Sequence, residues 1–140
     1  MSAAGPILIL EDDLDDQEIL EVIFKSLNVK NIRQYFGSSD EFLEYLLQTP
    51  EKPLLIFSDI NMVKANGIEL KKIIESNPFL KGKTIPYVFL TTSANPPDVR
   101  QAYDLHSQGF FVKSADVSNM TKVIDHILFY WKMSLHPNNI

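Results

Sequence analysis

The stretch Leu54-Leu55-Ile56-Phe57-Ser58-Asp59-Ile60-Asn61 decides how the chain folds. Four consecutive apolar residues, one β-branched and one aromatic, run straight into Ser58 and a carboxylate. A short continuous apolar run of this kind reads as a strand buried on both faces, and such strands belong to parallel sheets. In open parallel sheets, ligands bind just beyond the carboxyl ends of the strands. Asp59 stands at such an end, and the rest of the chain is read for what it places around it.

Working outward, Pro6 to Leu10 is a second buried run, ending in Glu11-Asp12-Asp13. Leu14, Ile19, Leu20, Ile23, Phe24 and Leu27 then recur at helical spacing. Asp15 and Asp16 fall in the first helical turn, where acids complement the helix dipole. Asn31 to Phe36 is a weaker strand. Ser38, with Glu41 three residues on, has a capping-box pattern that opens a helix to Gln48. After Asp59, residues 60–67 form a loop. Gly67 begins the next helix and is expected to supply a backbone angle that other residues avoid. Ile68, Leu70, Ile73 and Ile74 give that helix its stripe, Asn77-Pro78 ends it, and Phe79 to Thr84 connects onward. Ile85 to Leu90 is a strand ending in Thr91-Thr92-Ser93. Asn95-Pro96-Pro97 starts a helix with proline in its first turn, and Val99, Ala102 and Tyr103 are expected to face the core. Phe110 to Val112 is a short strand ending in Lys113. Asp116 or Ser118 starts a last helix, with Val117, Met120, Ile124, Ile127, Leu128 and Trp131 inward and Pro137 at its end. The order βαβαβαβαβα implies right-handed crossovers and an α/β, doubly wound, five-stranded parallel sheet with helices on both faces.

At 140 residues, 45% apolar and 22% charged, the chain reads as one globular domain, with a core over about residues 6–131 and a short tail over 136–140. Its net charge of −5 argues against a nucleic-acid-binding surface. Lys71, Lys72, Lys81 and Lys83 form its one basic cluster, expected on a solvated helix face and loop. With no cysteine there is neither disulfide framework nor thiol chemistry. No segment has the length of a membrane span and the N-terminus lacks a signal peptide's basic region, so a cytoplasmic protein without membrane or direct DNA binding is expected.

The groups that follow the strong strands form a set. Glu11, Asp12 and Asp13 follow the first, Asp59 the third, Thr91 and Thr92 the fourth, and Lys113 the fifth. Clustered carboxylates raise a pKa or bind a cation. Oxygen ligands without His or Cys favour Mg²⁺, which keeps waters for a phosphoryl oxygen. An Asp beside such an ion can attack phosphorus to give an aspartyl phosphate, while a lysine offsets charge on the transferring group. Taken singly, an Asp at a strand end is a cap, a Thr is structural and a Lys is a salt-bridge partner; their joint occurrence after four strands favours chemistry.

This set resembles the receiver domain of two-component response regulators over nearly the whole chain, from Ile7 to about Trp131. The resemblance rests on Glu11-Asp12 after the first strand, Asp59 in Ser58-Asp59-Ile60-Asn61-Met62, Gly67 eight residues later, Thr91 and Lys113. It implies the flavodoxin-like strand order 2-1-3-4-5 and Asp59 as acceptor of a phosphoryl group from a sensor histidine kinase or phosphotransfer protein. Glu11 and Asp12 would form the acidic Mg²⁺ pocket, together with Asp59 and the backbone carbonyl of Asn61. Thr91 would be the switch hydroxyl, Lys113 the phosphoryl-contacting lysine and Phe110 the aromatic switch position. Val63 and Ser114 stand where the family usually has proline, which loosens the loops and leaves the chemistry. Thr91-Thr92-Ser93 and Lys113-Ser114-Ala115-Asp116 look like the small stand-alone receivers related to phytochrome-partner regulators.

Without an effector domain, output is expected through a downstream protein partner, phosphorelay or a homodimer on the fourth-helix, fifth-strand, fifth-helix face. Val123, Tyr130 and Leu135, off the last helix's main stripe, read first as widening its core face, and otherwise join Tyr103 and Phe110 as an apolar partner surface. His106, His126 and His136 read as structural or surface residues. Two other functions compete. A haloacid-dehalogenase-type phosphatase also uses Asp, Thr, Lys and acidic ligands, but its nucleophile follows the first strand in an Asp-x-Asp pattern, and the second position here is Asn61. A phosphate-independent interaction module would have no need of so complete a site.

Overall fold

The computed structural model describes residues 4–62, 65–92 and 95–138. Val63 and Ser93, singled out above, lie outside the described residues. Five strands, β1 (Ile7–Leu10), β2 (Arg33–Phe36), β3 (Leu55–Ser58), β4 (Tyr87–Thr91) and β5 (Gly109–Val112), alternate with five main helices. These are α1 (Leu14–Ser26), α2 (Ser39–Gln48), α3 (Gly67–Ser76), α4 (Pro96–Asp104) and α5 (Val117–Met133). All four pairings in the sheet are parallel, in the order β2-β1-β3-β4-β5. The expected flavodoxin-like, doubly wound fold is therefore the one adopted.

Alternation along the buried strands divides the core in two. Ile7, Ile9, Leu55, Phe57, Val88 and Leu90 pack under α1 and α5, against Phe24, Ile124 and Leu128 among others. Leu8, Leu10, Ile56, Tyr87 and Phe89 point the other way, onto Phe42 of α2, Ile68 and Ile74 of α3 and Ala102 of α4. A strand buried on both faces has no polar side to show, which is why these segments read as continuous apolar runs.

The helix starts follow their capping residues. Asp13, Ser38, Asn66, Asn95 and Asp116 each accept a backbone N–H of the first turn through the side chain. The differences from expectation are local. Asn77 caps a short helix, Pro78–Lys81, within the connection expected to be plain loop. The loop after Asp59 holds a small antiparallel hairpin, Asn61–Met62 with Ala65–Asn66. The last helix stops at Met133, capped by Ser134, before Pro137. Tyr103 is exposed, as are Tyr130 and Leu135, whereas Ala102 is buried and Val123 packs on the core. Among the described residues no helix is long and apolar enough to cross a membrane.

Two expectations change with packing. Gly67 has an ordinary negative φ; its requirement is space. A Cβ there would lie 2.1 Å from the Asp59 carbonyl oxygen and 2.6 Å from Ser58 Oγ. Lys71, expected on a solvated face, is buried and paired with Glu75 at 2.9 Å. It shares the inward stripe with Ile68, Leu70 and Ile74, so helical geometry carries it inside.

Candidate functional site

β1, β3, β4 and β5 are parallel and in register, so their carboxyl ends lie side by side. Asp59 follows β3 directly and is buried. Its backbone N–H donates to the Leu10 carbonyl at 3.1 Å, tying it to the end of β1. Asp59 Oδ1 accepts the Thr91 hydroxyl at 2.8 Å and the backbone N–H groups of Ile60 and Asn61 at 2.7 and 3.3 Å. Asp59 Oδ2 accepts Lys113 Nζ at 3.0 Å.

Lys113 is the hub. It leaves the end of β5, where its N–H donates to the Thr91 carbonyl at 2.7 Å. Its side chain is 11% exposed, and its ammonium reaches Glu11, Asp59 and, at 3.2 Å, Asp16. Burial works against its charge, but hydrogen bonds to Glu11 and Asp59 outweigh burial and hold it above the ordinary lysine range. Burial also pushes the Glu11 carboxyl above its ordinary value, and the bond from Lys113 offsets only part of this. Glu11 is fixed from behind: Asp13 N–H donates to its Oε2 at 3.1 Å, and Gln17 Nε2 donates to its carbonyl at 2.6 Å.

Glu11, Asp59, Thr91 and Lys113 are thus brought into one hydrogen-bonded group. Asp12 sits half-buried beside Glu11 at the end of β1, and the Asn61 side chain is exposed on the hairpin that follows Asp59. Phe110 lies one layer away, half-buried, with its ring 5.8 Å from that of Phe89. Asp16 suits a dipole-complementing acid by its position, yet it joins the group through Lys113. Its place on the first turn of α1 could be read from the chain; its contact with a residue 97 positions away could not. Ser114, in place of the usual proline, accepts the Asp116 N–H at 3.1 Å and so turns the chain into α5.

Among the described residues no three His, Cys, Asp or Glu side chains are grouped so as to hold a metal ion by themselves. The donor set still fits Mg²⁺, which needs one or two carboxylates and retains its waters. Every side-chain ligand is a hard oxygen, and Glu11, Asp16 and Asp59 share one ammonium with Asp12 next in sequence to Glu11, leaving negative charge for a cation to neutralise.

Comparisons with known proteins bear on this geometry. The family model of the response regulator receiver domain matches residues 7–125. Response regulator Rcp1 of Synechocystis sp. is 31% identical over 130 residues, covering 89% of this chain and 87% of Rcp1. The crystal structure of the phosphorylated cyanobacterial phytochrome response regulator RcpA superposes with a TM-score of 0.85 at 29% identity, covering 95% of this chain and 98% of that one. The Mn²⁺-bound form of Rcp1 superposes with a TM-score of 0.81 at 29% identity, covering 94% and 96%.

Proposed function

Because the chain belongs to the response regulator receiver family, we propose that Asp59 is the residue that carries its phosphoryl group, received from a sensor histidine kinase or phosphotransfer protein. The observation that supports this most is the bonding of Asp59: one oxygen on the Thr91 hydroxyl, the other on the Lys113 ammonium. A buried carboxylate held at both oxygens by movable donors is oriented before a phosphoryl group arrives, which lowers the entropic part of the barrier.

In this reading Asp59 Oδ attacks the donor phosphorus. The new O–P bond forms as the donor's P–N bond breaks, or its P–O bond with a small acyl phosphate, and the electron pair leaves with the donor. Lys113 stays an ammonium throughout and neutralises charge on the phosphoryl oxygens. Thr91, already 2.8 Å from Asp59, turns its hydroxyl from the carboxylate to a phosphoryl oxygen. That movement draws on β4, and Phe110, packed on Phe89, follows it, altering the face of α4, β5 and α5. Glu11, Asp12, Asp59 and the Asn61 carbonyl would hold Mg²⁺, which supplies positive charge to the clustered oxygens. The output is binding to a downstream protein or to a second copy on that altered face.

Incubation with acetyl phosphate and Mg²⁺ is expected to add one phosphoryl mass to the intact chain, and Asp59→Asn is expected to add none. Equal modification of the variant would overturn the assignment.

A further inference from the structure

A cavity of about 340 Å³ lies at the amino-terminal end of β4, against the last turns of α2, α3 and α5. None of the groups bonded to Asp59 lines it. Its walls are largely apolar, with Ile74, Leu80, Tyr87 and Trp131 among them. One side is charged, and the charges are unequal. Glu75 accepts Lys71 at 2.9 Å and lies 3.3 Å from His106 Nδ1 and 3.6 Å from Lys81 Nζ. A single carboxylate therefore faces two ammonium groups and an imidazole.

Lys71 is the unusual member. Its side chain is 6% exposed, and its ammonium lies 5.1 Å from the centre of the Tyr87 ring. A buried ion pair is a poor source of stability, because its desolvation cost offsets the attraction and apolar residues of similar volume serve as well. A leucine would extend the stripe of Ile68, Leu70 and Ile74 without that cost. Glu75 and the Tyr87 face hold the ammonium on the cavity wall, and a charged group placed on an otherwise apolar wall is how small-molecule sites fix the orientation of a ligand. The volume falls at the lower end of the roughly 300–1,000 Å³ typical of small-molecule sites.

We propose that this cavity binds a small organic anion with an apolar body. Its carboxylate sits against Lys71 and Lys81, and its hydrocarbon or aryl part lies on Tyr87 and Trp131. The site is separate from Asp59 and does not depend on phosphorylation.

Trp131 is the one tryptophan of the chain and lines the cavity, so its fluorescence responds to occupancy; because Trp131 also borders a second cavity beside Phe111 and Tyr130, the lysine variants identify which one is filled. Phenylbutyrate serves as the probe, with phenylbutanol as its uncharged counterpart. Phenylbutyrate is expected to change Trp131 emission saturably, and phenylbutanol to bind at least about tenfold more weakly. Lys81→Ala, at an exposed position that leaves folding intact, is expected to weaken phenylbutyrate about threefold or more, the scale of an exposed charge pair. Lys71→Met is expected to weaken it further. A linear, unsaturable response, equal affinity for the alcohol, or affinity unchanged in Lys81→Ala would each overturn the proposal.

Discussion

Gly67 and Asp59 press together at the start of α3. The 2.1 Å approach expected of a Cβ to the Asp59 carbonyl involves two backbones, so no side-chain rotation relieves it. Gly67→Ala is expected to cost about 2–3 kcal/mol through overpacking and to slow phosphorylation by displacing the loop that carries Asp59. Urea unfolding measures the first effect. A change under about 0.5 kcal/mol, ordinary for a surface position, would show that the contact relaxes freely. Glycine eight residues after Asp59 could be seen in the chain, but only the structure shows that closeness and not backbone angle demands it. Asp16 teaches the same lesson. Its acidity suited a helix start, and nothing local distinguished it from Asp15, yet only Asp16 reaches Lys113.

At the scale of elements, α1 is tied to β2 through one cluster. Arg33 binds Glu21 in bidentate fashion, with bonds of 3.0 and 2.5 Å, and Tyr35 donates to the same carboxylate at 2.8 Å. The Arg33 hydrogen bonds hold the Glu21 carboxyl below its ordinary value of 4.5, against a smaller opposing effect of burial. A carboxyl with a lowered folded pKa contributes stability that is present above its unfolded value and lost as pH falls through the folded one. Stability should therefore decline from about pH 4.5 downward, and Glu21→Gln should flatten that part of the profile while lowering stability at neutral pH. Chemical denaturation of both chains between neutral and acid pH tests this; parallel profiles would sink it. β2 was the weakest strand in the sequence, and this cluster accounts for its definition: two of its four residues anchor it to α1 through polar contacts that apolar periodicity does not register.

Across the whole molecule, the site gathers excess negative charge at one end of the sheet. Folding brings Glu11, Asp16 and Asp59 onto one ammonium, so a divalent cation that binds only the folded chain must stabilise it. At a hundred times its dissociation constant the gain is about 2.7 kcal/mol. Thermal unfolding is expected to shift upward with Mg²⁺, and Asp12→Asn with Asp59→Asn is expected to remove that shift while raising the metal-free midpoint by relieving repulsion. A double variant that still responds fully to Mg²⁺ would place the ion elsewhere.

The sequence by itself determined the order and kind of the elements, the parallel sheet, and Asp59, Thr91 and Lys113 as strand-end groups. Each of these is written locally, because burial on two faces, helical spacing and caps leave their marks within a few residues. Tertiary structure alone decided which charges meet. Lys113 finds Glu11, Asp16 and Asp59 across separations of 102, 97 and 54 residues, and Lys71 is set over the Tyr87 ring of another element. Such contacts depend on how the elements are stacked, and electrostatic partners carry no periodic signature along the chain from which that stacking can be read.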